Sequence, residues 1–203
     1  MKIQNIVFDI GGVLIDWNPR YLYRKLLQNE AEIEFFLNTI CTAEWNAQQD
    51  AGRPFHDGVA LLEQQYPEYA ALIEAYESRW EEMLGDAFAG TVEILRGLKS
   101  SGMPVYALTN WSAETFPVAR KKYDFLSWFD GILVSGEVKL KKPDIRIFQL
   151  LLERFKLDAS STLYIDDVTA NLDAAQQVGL QSLHFQNAAQ LRASLHEMGL
   201  DSI

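Results

Sequence analysis

Short apolar runs and stretches of helical periodicity alternate along this 203-residue chain. Ile3 to Phe8 is rich in β-branched residues and ends at Asp9-Ile10-Gly11-Gly12, which predicts a buried strand broken sharply by two glycines. From Trp17 the pattern turns helical. Asn18 suits a cap and Pro19 the first helical position, where a missing N–H costs nothing. Apolar residues at helical spacing (Leu22 and Leu26; Phe35, Phe36 and Ile40; Val59, Leu62 and Tyr66; Ile73, Tyr76, Trp80 and Met83) then continue to about Leu84, with no convincing strand. This block predicts a unit of four or five helices, with Asp16 at one crossing to the rest of the chain and Gly85 and Gly90 at the other.

Beyond Gly90 the alternation resumes. Helices are predicted at 91–101, 112–122, 144–155, 169–178 and 187–198, and strands at 104–108, 131–134, 162–165 and 181–185. Strands separated by helices of this length imply right-handed crossovers and a parallel sheet. The expected architecture is α/β, a Rossmann-like three-layer core from 1–16 and 85–203 with an all-α insertion at 17–84 after the first strand. In such a sheet ligands bind at the carboxyl ends of the strands, where Asp9 falls.

A hydrophobic fraction of 48% with 23% charged residues is that of a globular chain able to bury a core. The net charge of −10 argues against a nucleic-acid surface, so an anionic ligand must be held by local charges. No apolar stretch is long enough to span a bilayer, the start lacks the pattern of a signal segment, and the single Cys41 favours a reducing compartment. These features predict a cytoplasmic protein. Cys41 has no activating neighbour in sequence, and His56, His184 and His196 have no metal-ligand spacing.

Three later segments change the weight of Asp9. Tyr106-Ala107-Leu108-Thr109-Asn110 is a strand ending in a hydroxyl and an amide, and Lys139-Leu140-Lys141-Lys142-Pro143-Asp144 is a basic segment entering a helix. Leu163-Tyr164-Ile165-Asp166-Asp167 is a strand ending in two carboxylates. In this order the four pieces resemble motifs I to IV of the haloacid dehalogenase-like hydrolase superfamily, across nearly the whole chain. Asp-Ile-Gly-Gly-Val-Leu at the first motif, with a small helical cap, is similar to the subgroup that includes bacterial α-D-glucose-1-phosphate phosphatases.

The resemblance implies that Asp9 is the nucleophile and that the first strand is central, flanked by the strands ending at Leu108 and Ile165. It implies Mg2+ held by Asp9, the Gly11 carbonyl, Asp167 and Asp166, the last directly or one shell out. A divalent cation offsets the repulsion between a carboxylate and a phosphate ester. Thr109 and Asn110 would hold phosphoryl oxygens beside a helix N-terminus. Lys142 would neutralise phosphate and nucleophile, and Asn171 would position metal-bound water or the lysine. Lys139 and Lys141 read as surface charges.

One position departs from the pattern. Most phosphatases of the superfamily carry a second aspartate, the general acid and base, where this chain has Gly11. Asp16 is the nearest replacement in sequence; a good leaving group or a loss of activity are the other readings. Substrate choice is expected in the cap, with the segment Trp45 to Pro54 the best specificity region and Asn18 and Arg53 as substrate-binding candidates. Trp17 and Trp111 can line the pocket mouth or the core, and Trp45 reads as cap core. The expected function is a Mg2+-dependent phosphatase acting on a small phosphate ester through an aspartyl-phosphate, with a sugar phosphate as one candidate. A metal-free dehalogenase and a non-catalytic binding protein are the rivals, and a monomer or weak homodimer is expected.

Overall fold

The computed structural model describes residues 2–200. Its main sheet has five parallel strands in the order β5-β4-β1-β6-β7: β1 (Asn5–Phe8), β4 (Val105–Thr109), β5 (Gly131–Val134), β6 (Thr162–Asp166) and β7 (Gln181–His184). β1 is central, with Phe8 opposite Ala107 on one side and Ile165 on the other. The three strands carrying Asp9, Thr109 and Asp166 are therefore adjacent.

Alternation along β1 sends Ile6 and Phe8 into one apolar cluster and Val7 into another, because successive strand side chains point to opposite faces. Helices α6 (Ala89–Ser100) and α11 (Ala188–Glu197) cover the first face through Ile94, Leu95, Leu98, Leu191 and Leu195. Helices α9 (Ile145–Phe155) and α10 (Thr169–Gln177) cover the second through Ile147, Phe148, Leu151 and Leu172. The result is the three-layer α/β arrangement read from the pattern.

Between β1 and α6 lie two short strands absent from the sequence reading. β2 (Ile15–Trp17) and β3 (Leu84–Ala87) pair antiparallel, and between them run α1 (Arg20–Tyr23), α2 (Glu30–Phe35, extended by a π-helical turn to Ile40), α3 (Ala43–Asp50), α4 (Phe55–Gln65) and α5 (Ala70–Ser78). Strands of three and four residues are too short for period-two patterning to register. Gly85 is needed here, since a Cβ at that position would meet the Asp16 carboxylate at 2.7 Å. The helical insertion is centred on aromatic packing, with Tyr76 against Trp45 at 5.0 Å between ring centroids and Tyr23 against Phe36 at 4.6 Å. Cys41 is buried there, and burial pushes its thiol up, which removes it as a nucleophile.

The helix predicted at 112–122 is shorter in the structure, α7 (Phe116–Lys122), because Pro117 fits only the first turn. Residues ahead of it form a loop in which Ser112 Oγ accepts from the Glu114 N–H at 3.1 Å. A one-turn helix α8 (Ser135–Val138) follows β5 where none was predicted. Among the described residues no helix is long and apolar enough to cross a membrane.

Candidate active site

Asp9 leaves β1 with its N–H donating to Ile165 O at 2.8 Å, which fixes the carboxylate at the sheet's carboxyl edge. Its Oδ1 accepts from the Ile10 N–H at 2.7 Å and lies 2.9 Å from Lys142 Nζ. The same ammonium is 2.7 Å from Asp166 Oδ2, and both lysine and Asp166 are almost wholly buried. Buried charges survive only when paired and hydrogen-bonded, and Asp166 meets that condition throughout. It also accepts from the Tyr164 hydroxyl, from Asn171 Nδ2 at 3.1 Å to each oxygen, and from the Val168 N–H at 2.8 Å.

The charge balance follows from this packing. Burial raises Asp9 to about 7 despite the pull of Lys142, with the charge on Asp166 adding to the rise. Burial works against the Lys142 charge too, but Asp9 and Asp166 outweigh it and hold the ammonium above its ordinary value. Asp166 is held below the usual carboxylate range because Lys142 and the donors around it outweigh its own burial. One lysine thus serves two carboxylates, leaving the nucleophile candidate short of positive charge.

A cation fits that shortage. One oxygen from each of Asp9, Asp166 and Asp167 lie within 4.8 Å of one another, close enough to share an ion that takes carboxylate oxygens. Asp167 is exposed and sits over Gly12, where φ is +77° and a Cβ would meet Asp167 Oδ2 at 2.5 Å. The second glycine of the pair is therefore required by both its conformation and the carboxylate above it.

Thr109, at the end of β4, is buried, and its hydroxyl has no partner within the protein. Asn110 spends its side chain on Lys142, with Nδ2 donating to Lys142 O at 3.0 Å and Oδ1 accepting from Lys142 N–H at 2.8 Å. That reciprocal pair locks the loop carrying the ammonium. Asn171 likewise grips Asp166 rather than Lys142.

A cavity of about 160 Å³ opens beside this edge, lined by Gly11, Asn110 and Trp111 from the sheet side and by Trp17, Asn46, Asp50 and Trp80 from the ribbon and insertion. Gly11 has nothing within 4 Å of the place where a Cβ would stand. Buried polar atoms of three lining residues, Trp17 Nε1, Trp111 Nε1 and Asn46 Oδ1, have no partner within the protein. The helical insertion and the sheet side are joined here: Ser135 Oγ donates to Asp50 O at 2.5 Å and accepts from the Trp111 N–H at 2.9 Å.

Three expected site residues lie elsewhere. Asp16 accepts from the Tyr21 hydroxyl on the ribbon and is not among the residues lining the cavity. Asn18 Oδ1 caps α1, accepting from the Arg20 N–H at 3.0 Å, and borders a separate groove with Asn38 and Thr42. Arg53 folds back on its own segment, with Nε donating to Gln49 Oε1 at 2.7 Å, Nη2 donating to Trp45 O at 3.1 Å, and its guanidinium over the Trp45 ring. Each is captured by a local partner before it can reach the cavity. Trp45 is cap core, its Nε1 donating to Gly58 O at 3.1 Å, whereas Trp17 and Trp111 line the cavity. Tyr164 and Trp80 were not singled out for the site. In the sequence Tyr164 is only part of a strand and Trp80 only an apolar position at helical spacing.

Over residues 3–179 the sequence matches the model of the haloacid dehalogenase-like hydrolases. The chain belongs to that family. Its relatives include the sesquiterpene phosphatase astK of Aspergillus oryzae, 29% identical across 90% of this chain and 89% of that protein. A phosphorylated carbohydrates phosphatase of Thermotoga maritima is 22% identical across 90% of this chain and 84% of its own length. Among solved structures, the magnesium complex of a family enzyme from Bacteroides thetaiotaomicron superposes with a TM-score of 0.74. It covers 97% of this chain and 99% of that one, and at 22% identity the likeness is one of fold. The family hydrolases share the Rossmann-like sheet described above.

Proposed function

We propose that this hydrolase is a Mg2+-dependent phosphatase that cleaves a small phosphate ester through an aspartyl-phosphate on Asp9. The observation that carries the reading is the single Lys142 ammonium shared by Asp9 and Asp166, beside oxygens of Asp9, Asp166 and Asp167 that converge within 4.8 Å. With three carboxylates against one ammonium, such a site is short of positive charge by two, which one divalent cation supplies. Asp9 and Asp167, with the Gly11 carbonyl, would hold the cation, while Asp166 anchors Lys142. Bound there, the metal supplies the charge that lets a carboxylate approach a phosphoryl group.

The protein's own groups then act in sequence. An Asp9 oxygen attacks phosphorus in line with the departing ester oxygen, and the Lys142 ammonium balances the equatorial oxygens. The unpartnered Thr109 hydroxyl is placed to donate to one of them. Water then attacks the aspartyl-phosphate, releasing phosphate and restoring Asp9. The helical insertion serves as the cap that covers these steps and keeps bulk water out.

The cavity supports a hydroxyl-bearing leaving group such as a sugar. Its three indole rings offer flat apolar walls, and hydroxyls would satisfy Trp17 Nε1, Trp111 Nε1 and Asn46 Oδ1, which a hydrocarbon would leave bare at a cost of about 1–3 kcal/mol each. The apolar walls and the likeness to a sesquiterpene phosphatase favour an isoprenoid phosphate as the second reading. Dehalogenation is disfavoured, because displacing a halide involves no phosphate charge to offset, whereas Asp9, Asp166 and Asp167 converge within 4.8 Å as a cation site would need.

The test is turnover of a panel of sugar phosphates, isoprenoid phosphates and 4-nitrophenyl phosphate, with Mg2+ and after chelation. Activity should vanish with the chelator and return with Mg2+. Asp9→Asn should lose about 10³-fold or more in kcat while unfolding at the same temperature. Full activity in that variant would remove the covalent mechanism. An inert protein that still binds Mg2+ would be a binding protein on this scaffold.

A further inference from the structure

A phosphatase of this kind needs a proton for its departing oxygen, and the position two residues past Asp9 is a glycine. Among the described residues that line the cavity, one alone carries a carboxyl group: Asp50, at the last turn of α3. Gly11 stands in the lining of the same cavity with open space at its absent Cβ. The sheet edge thus contributes to this cavity a position without a side chain, and the insertion contributes to it a carboxyl group.

The other nearby carboxylates are committed. Asp166 is saturated by Lys142, Tyr164, Asn171 and the Val168 N–H. Asp16 is held by Tyr21, and Glu114 Oε2 accepts from the Phe55 N–H at 2.7 Å. Asp50 is instead fixed at its backbone, and its carboxylate accepts from neutral donors, Asn46 Nδ2 and the Ser112 backbone N–H. Asn46 Nδ2 reaches Oδ2 at 3.2 Å, while the carbonyl takes the 2.5 Å bond from Ser135 Oγ. Gly52 lets the chain turn at φ +95° immediately afterwards, against Lys139 and the Gly136 carbonyl. The side chain is thus presented from a fixed backbone, and the residue as a whole is half-buried.

We propose that Asp50 is the general acid and base of the reaction, replacing from the cap the aspartate that Gly11 lacks. This rests on the phosphatase reading above. In the first step Asp9 forms a bond to phosphorus, the bond from phosphorus to the ester oxygen breaks, and Asp50 gives that oxygen its proton. In the second, Asp50 takes a proton from the attacking water as the Asp9–phosphorus bond breaks. The products are the alcohol and inorganic phosphate, with Asp9 ionised and Asp50 protonated again. Burial raises Asp50 to about 7, against the Lys141 charge and the Ser112 backbone N–H, and this suits a group that must give and recover a proton near neutrality. The buried Tyr76 phenol is the other titratable group that feels its charge.

The experiment compares benzyl phosphate, whose alkoxide needs a proton, with 4-nitrophenyl phosphate, whose nitrophenolate leaves unaided, in the Mg2+-loaded enzyme. Asp50→Asn should lower kcat/KM for benzyl phosphate by about 10²–10⁴-fold, with a loss at least about tenfold smaller for 4-nitrophenyl phosphate. With the latter, nitrophenolate should appear as a burst of one equivalent, because the aspartyl-phosphate now waits for unassisted water. Adding Gly11→Asp to Asp50→Asn should recover benzyl phosphate turnover, since open space awaits the new side chain. Equal losses on both esters, no burst, or no recovery in the double variant would overturn the assignment. Wild-type enzyme inert toward both esters would instead bring down the phosphatase reading and this inference with it.

Discussion

The carboxyl edge of the sheet and the cavity beside it are built from opposite rules. At the edge, Asp166 is satisfied on every side, Lys142 is clamped by two carboxylates and by Asn110, and Asp9 is tied to Ile10. In the cavity, Trp17, Asn46 and Trp111 each keep a buried polar atom without a protein partner, and the Asp50 carboxylate accepts only from neutral donors. At the edge, protein contacts already hold Lys142 and two carboxylates in place. The cavity fixes its lining residues in position and leaves three of their buried polar atoms without a protein partner. Chemistry common to a family can sit on the first kind of site, and choice of substrate on the second.

The contrast can be broken most forcefully at Lys142. Lys142→Met leaves Asp9 and Asp166 buried without their shared cation, and stability should fall by about 3–5 kcal/mol in metal-free protein, read by denaturant unfolding. Mg2+ should recover part of that loss. A variant as stable as wild type without metal would show that the edge is not preorganised by this charge.

A smaller and opposite effect is expected in the cavity. Trp111→Phe and Trp17→Phe delete N–H groups that bond to nothing in the protein, so unfolding free energy should move by less than about 1 kcal/mol. For the best sugar phosphate in the panel kcat/KM should fall about tenfold, equivalent to about 1.4 kcal/mol. Unchanged kinetics on hydroxyl-bearing esters would point to the hydrocarbon reading instead. The least effect belongs to Asp16→Asn. It touches the bond from Tyr21 and lies outside the cavity lining, so kcat/KM should stay within about twofold and stability should drop by about 1 kcal/mol. A large kinetic loss there would return the proton-donor role to Asp16.

Much of the edge could be read from the chain because three of its groups sit at the ends of strands with a strong local signature. Asp9 follows a β-branched run, Thr109 closes another, and Asp166 closes a third, so recognising the strands places the side chains. Roles within the edge were harder to read. Asn110 and Asn171 carry the same amide, and only the fold shows that one holds the Lys142 backbone and the other both oxygens of Asp166. Arg53 and Asn18 had the right chemistry for a ligand, yet Trp45, Gln49 and the start of α1 claim them first.

The order of apolar runs, glycines and strand-ending carboxylates determined the sheet, the identity of its reactive edge and the absence of an acid at position 11, since all of these depend on local propensity and spacing. Tertiary structure alone decided which side chains complete the cavity. Asp50 comes from the middle of the insertion and Trp80 from its far end, and the ribbon of β2 and β3 is too short to leave a periodic trace. Contacts between residues far apart in the chain depend on how whole layers close, and no local pattern encodes that.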